Sequence, residues 1–161
     1  AMSFGITMAT FAAQNWGAHE FSRIRLGVKQ TLTVSITFSA VTGALIIIFG
    51  QPLVNLFIGT GQPLVTATAQ TYFRFNSSCY WLLSILFIVR YTLQGLGQSL
   101  VPTLAGIMEL LMRSFAGLVL IGLLGFTGAS MANPLAWIGS LLVLISSYIR
   151  TMRHLRTLET D

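Results

Sequence analysis

The run "TVSITFSAVTGALIIIF", Thr33 to Phe49, contains no residue that is charged at neutral pH. The silence extends further, because no Asp, Glu, Lys, Arg or His occurs between Gln30 and Phe73. Crossing the hydrocarbon core of a bilayer takes about 20 consecutive, mostly apolar residues in a helix. The run and its flanks supply them, so residues 31–50 read as a membrane span.

Working outward from it, three further apolar stretches have similar length: 72–93, 101–123 and 131–149. Gly50 and Pro52 are expected to end the first span, and "PLVNLFIGTGQP" (Pro52–Pro63) to lie at the interface, interrupted by Gly59, Gly61 and Pro63. "QGLGQS" (Gln94–Ser99) reads as a tight turn, with Pro102 in the first turn of the next helix. "GLLGFTGAS" (Gly122–Ser130) reads as another Gly-rich turn, after which Asn133-Pro134 and Trp137 open the last span. Residues 1–14 are too short to span and fit the end of a helix that begins upstream, as in a truncated chain. The expected fold is therefore all-α, a polytopic transmembrane helix bundle.

Composition agrees. Hydrophobic residues make up 54% of the 161 and charged residues only 8%, whereas an average soluble domain carries roughly a quarter charged residues. The mean hydropathy is +0.78. The net charge of +5 does not indicate nucleic acid, which calls for Lys and Arg clustered on one folded polar face. The cations instead mark topology. Arg23, Arg25 and Lys29 precede the first span, and Arg150, Arg153 and Arg156 follow the last. Arg90 lies beside the turn after the second span, while residues 51–68 and 124–130 have no Lys or Arg. Positive and cation-free sides alternate without a break, which under the positive-inside rule puts residues 15–30 and the tail 150–161 in the cytoplasm of a cell-membrane protein. Within residues 15–30, Phe21, Ile24 and Val28 recur at helical spacing opposite Arg25 and Lys29. A short surface helix steered by anionic lipid headgroups is expected there.

An ionisable group inside a span costs about 2.5–3.5 kcal/mol on insertion scales, so each one needs a reason. Glu109 and Arg113, in "GIMELLMRSF" (Gly106–Phe115), are spaced i and i+4 with the acid first, and can pair on one helix face. Two readings fit: a neutral pair that fastens this helix to its neighbours, or a pair whose exchange with Arg90 or a proton accompanies a conformational switch. Removing Arg113 would then strand an acid in the span. "RFNSSCYW" (Arg74–Trp81) puts Asn76, Ser77, Ser78 and Tyr80 close together, either facing a cavity or making interhelical hydrogen bonds beside an aromatic anchor. Met108 and Met112 read as packing, and His19 and His154 as solvated. A single cysteine, Cys79, excludes an intrachain disulfide. There is no phosphate-binding loop, nucleophile arrangement or metal-ligand spacing, so neither an enzyme nor a cofactor is expected.

Three stretches are specific in a further way. "AAQNWGAHEFSRIRLGVKQ" (Ala12–Gln30) has Gln14 and Asn15, an aromatic, Gly17-Ala18 and then a basic helix. "FIVRYTLQGLGQSLVPTLAGIMELLMR" (Phe87–Arg113) has Arg90 before a turn with Gly95, then Pro102, Glu109 and Arg113. "GFTGASMANPLAW" (Gly125–Trp137) contains Asn133 and Pro134. Together they resemble the multidrug and toxic compound extrusion family, and in particular the end of helix eight followed by helices nine to twelve of twelve. The resemblance implies two six-helix lobes around a cavity that opens alternately to either side. It implies export of organic, often cationic, compounds in exchange for protons or sodium, with membrane lipids and the missing N-terminal lobe as partners. Candidate cavity-lining residues are Asn76, Cys79 and Tyr80, and candidate coupling or gating residues are Glu109, Arg113 and Arg90. One branch of the family carries an acid about where Cys79 stands; this span has none, so coupling belongs to the N-terminal lobe or to another arrangement. The alternatives are a lipid-linked precursor flippase of the wider superfamily and a non-transporting membrane assembly subunit.

Overall fold

Hydrocarbon cannot hydrogen-bond the backbone, and a helix satisfies its own N–H and C=O groups within one segment. The computed structural model describes residues 1–59 and 62–159 and is all-α, with no strand among them. In chain order the elements are α1 (Met2–Gly17), α2 (Phe21–Ile58), α3 (Pro63–Ser78), α4 (Tyr80–Gly95) and α5 (Leu100–Phe115). A π turn (Ala116–Leu120), α6 (Ile121–Leu124), α7 (Phe126–Ser130) and α8 (Ala132–Leu158) complete it. Phe21–Phe57, Leu100–Leu124 and Ala132–Leu158 are long and apolar enough to cross a membrane, and the α3–α4 pair, bent by 46° at its break, has the length and composition of a fourth, broken span or of a re-entrant loop.

Several boundaries differ from those the sequence suggests. Residues 15–30 are not a loop followed by a separate surface helix: Asn15, Trp16 and Gly17 finish α1, and α2 then runs unbroken from Phe21 into the first span. Pro52 lies inside α2 rather than ending it. A proline breaks a helix less decisively here, because membrane surroundings leave the freed carbonyl few other partners and local adjustment re-satisfies it. The chain leaves the helix at Gly59, with φ 83°; Gly61 lies outside the described residues. Over 38 residues, α2 is about 57 Å long at 1.5 Å per residue, well beyond one hydrocarbon thickness. The second span starts earlier than Tyr72, at Pro63, and breaks at Cys79. The turn at 124–130 holds α7, and α8 continues through the basic tail to Leu158.

At the centre stands α4, with Ser84, Leu86, Ile88, Val89, Thr92 and Leu93 all buried. These positions cover most of the helix circumference, as expected of a helix surrounded by others. Ile88 joins Met8, Ala12, Ile24, Val28 and Leu155 in one apolar cluster, and Leu86, Val89 and Leu93 join Ala105, Trp137 and Leu144 in a second. Association of helices within a membrane depends on close packing and on hydrogen bonds between them. Both occur here. A Cβ on Gly95 would collide with the Ala9 carbonyl, so α1 and α4 approach at that point only because the residue is glycine. Ser84 hydrogen-bonds Ser39 of α2 and donates to the Ser35 carbonyl at 3.3 Å.

The turns at one end share a construction. After α1, the Glu20 N–H donates to the Asn15 carbonyl at 2.8 Å, with His19 at φ 58° between them. After α4, the Gln98 N–H donates to the Leu93 carbonyl at 2.9 Å, with Gly97 at φ 80°. Each is a helix C-cap closed by a left-handed residue. Gln98 then reaches α8, donating to Thr151 at 2.8 Å and accepting from Ser147 at 2.9 Å. Arg25 of α2 pairs with Glu159. The α1–α2 turn, the α4–α5 turn and the end of α8 thus lie at the same end of the bundle, where Arg23, Arg25, Lys29, Arg150, Arg153 and Arg156 gather. We expect Gly97→Ala to lose about 1 kcal/mol of stability, because a left-handed conformation is costly for a residue with a Cβ and open space around Gly97 rules out a clash. His19→Gly should move the other way, both being read as thermal unfolding of the purified protein in detergent.

Candidate functional site

The spans bring the three intramembrane ionisable candidates together. Glu109 of α5 accepts from Arg113 at 2.8 Å, one turn along the same helix, as the i, i+4 spacing suggests. Its other oxygen accepts from Arg90 of α4 at 2.9 Å, and the same Arg90 nitrogen donates to the Ser140 hydroxyl of α8 at 2.8 Å. Arg90 and Glu109 are largely enclosed, their side chains 18% and 15% exposed, whereas Arg113 is 45% exposed. Arg90 Nε is buried with no hydrogen-bond partner among the described residues. The node therefore ties three helices and places two guanidiniums against one carboxylate. Ser140 is absent from the sequence candidates; the signal available was a hydroxyl beside Gly139 within an apolar span. Met108 and Met112 lie over Gly139 and pack α5 against α8.

The other candidates gather around the break between α3 and α4. Asn76 is 2% exposed. Its amide donates to the carbonyls of Tyr72, at 3.1 Å, and Ser130, at 3.2 Å, while its oxygen accepts from Asn133 at 3.1 Å. Asn133 also donates to the Tyr72 hydroxyl at 3.2 Å. These bonds clamp α3 to the α7–α8 turn, with Pro134 buried in the first turn of α8, where its missing N–H costs no helix bond. Since α3 begins 13 residues before Asn76, it extends roughly 20 Å beyond this clamp. Cys79 is a free, half-buried thiol at the break itself. Tyr80 is half-buried and packs against Trp137 with ring centroids 6.3 Å apart. Beyond the clamp, a cleft of about 540 Å³ between α2 and α3 is lined by Gln51, Asn55, Thr66, Gln70, Thr71 and Arg74.

Among the signature residues near the other end, Gln14 and Gly17 are exposed, and Asn15 is buried with its amide donating to the Phe11 carbonyl at 2.8 Å. Pro102 is buried in the first turn of α5. His19 meets the ring of Phe21 edge-on at 5.9 Å.

The node changes what each substitution does. Losing Arg113 does not strand Glu109, contrary to the expectation from sequence, because Arg90 still holds the acid. Losing the Glu109 charge leaves two arginines side by side in an apolar span. Breaking a buried pair by removing one partner typically costs about 3–5 kcal/mol. Glu109→Gln should therefore lower thermal stability by about 3 kcal/mol, and Arg113→Ala by clearly less, measured on the purified protein in detergent. An equal loss for both would show that Arg90 does not share the acid.

No curated protein and no solved structure matches significantly. The MatE family model, however, matches residues 1–119, about three quarters of the sequence and the part that holds the α1 turn, the Cys79 break and the three charged residues of the node. The chain belongs to the MatE family of transporters.

Proposed function

We propose that the chain forms part of one lobe of a secondary antiporter that exports organic, often cationic, compounds in exchange for protons or sodium. The MatE match carries this reading. Transport of this kind needs no covalent chemistry, only two conformations that bind cargo and coupling ion differently. The break at Cys79 supports it, because transporter sites are commonly built where a membrane helix is discontinuous. Asn76, Cys79 and Tyr80 are the residues proposed to face the cavity as it opens. The cation-rich end is proposed to face the cytoplasm. Large exposed side chains such as Phe38, Leu110 and Leu118 are proposed to meet lipid or a second lobe.

Of the four acids in the sequence, only Glu109 lies within an apolar span, and both its oxygens are engaged by arginine. The coupling ion is therefore assigned to the other lobe, and the node to the gating of α4 against α5 and α8. Full-length protein in liposomes, driven by an imposed proton or sodium gradient, should move a fluorescent cationic dye. Glu109→Gln should slow that movement several-fold per mole of folded protein. Loss of transport strictly in step with loss of folded protein would make the node a packing device.

A second reading has one observation in its favour. Between Gln30 and Ile149, Arg74, Arg90 and Arg113 face a single acid, Glu109, a balance better suited to an anionic cargo such as a lipid-linked precursor. Accumulation of such a precursor on deletion, with dye efflux unchanged, would favour this flippase reading.

A further inference from the structure

The cation-rich end holds two adjoining recesses between α2 and α8. The outer one, about 370 Å³, is lined by Ser22, Arg25, Leu26, Lys29, Tyr148, Met152 and Glu159. The inner one, about 470 Å³, shares Arg25, Lys29 and Tyr148 and continues along α2 over Leu32, Thr33, Ile36 and Thr37. Sharing these three residues, they make up one slot that is charged at its mouth and lined by Leu32 and Ile36 with two threonines toward the middle of the span. Arg25 and Lys29 lie one helical turn apart, so both side chains reach the same mouth. Among the described residues the one acid lining either recess is Glu159, which is paired with Arg25. Lys29 is exposed and makes no ion pair among the described residues.

We propose that this slot binds an anionic phospholipid, with the phosphate between Arg25 and Lys29 and an acyl chain lying along Leu32 and Ile36. Charge selects the occupant: among the described lining residues two cations stand against one carboxylate, an excess of one positive charge that a phosphodiester neutralises. The gradient from charged to apolar matches the polarity of a phospholipid and not that of a free phosphate or a peptide. The hydroxyls of Ser22 and Tyr148 offer donors at the headgroup level. Basic pockets between membrane helices are suited to such headgroups. Because Arg25 also holds Glu159, the lipid would join the start of α2 to the end of α8. The proposal is independent of what the protein exports.

The test is native mass spectrometry of the delipidated full-length protein, titrated with phosphatidylglycerol or phosphatidylcholine. The wild type should retain one phosphatidylglycerol in preference to phosphatidylcholine. Lys29→Gln should weaken that retention about five-fold, the worth of one cation at an anionic surface. Lys29→Arg should preserve it and serves as the folded control. Arg153→Gln removes an exposed cation from the same end that lines neither recess, and should leave retention unchanged. Equal weakening by Arg153→Gln would reveal diffuse attraction and overturn the site. So would the lack of a preference for phosphatidylglycerol, or displacement of the lipid by inorganic phosphate at matching concentration.

Discussion

Within hydrocarbon a polar group finds a partner in the protein or goes without, and this constraint organises the bundle. Glu109 shows it most fully. Its two oxygens hold guanidiniums from two helices, and that of Arg90 also reaches Ser140 on a third. Because α4 is enclosed on most sides, Arg90 extends from the most constrained element and converts a local helical pair into a three-helix joint. The same constraint accounts for the Ser39–Ser84 bond between α2 and α4 and for the Asn76–Asn133 clamp between α3 and α8.

These links lie at different depths. Toward the cation-rich end, α1, α2, α4 and α8 share an apolar cluster, and Gln98 and the Arg25–Glu159 pair cross between elements. At the far side the Asn76 amide and its neighbours hold α3 to the α7–α8 turn. Between them lie the break at Cys79 and the charged node. A transporter of this family must change shape without losing its helices. The break at Cys79 is bounded on one side by a clamp and on the other by a packed core.

The all-α fold and its long apolar helices were legible because hydropathy and length report directly on solvent. Glu109 with Arg113 was legible because both lie on one helix, where spacing alone determines contact. Features that depend on a second element were not. The sequence names Arg90 as an exchange partner of the pair but does not say that Arg90 already holds Glu109 or that Ser140 completes the set, which is why removing Arg113 is expected from sequence alone to strand the acid. Local rules also misled where the surroundings overrode them. Pro52 sits inside α2 although proline is the strongest helix breaker, and the π turn at Ala116–Leu120 hides in a run whose composition is ordinary for a helix. The break at Cys79 falls in a stretch with no glycine or proline to announce it.

The unequal balance of the node also has an electrical side. Two guanidiniums against one carboxylate carry a surplus positive charge inside the low-dielectric slab, where nearly all of the transmembrane voltage falls. Carrying one elementary charge across the whole of that drop exchanges about 2.3 kcal/mol per 100 mV. Any rearrangement that shifts α4 and α5 together along the membrane normal therefore does work against the potential, in proportion to the fraction of the field traversed. Were such a shift to occur, the resting polarisation of the cell would act on it through these three side chains.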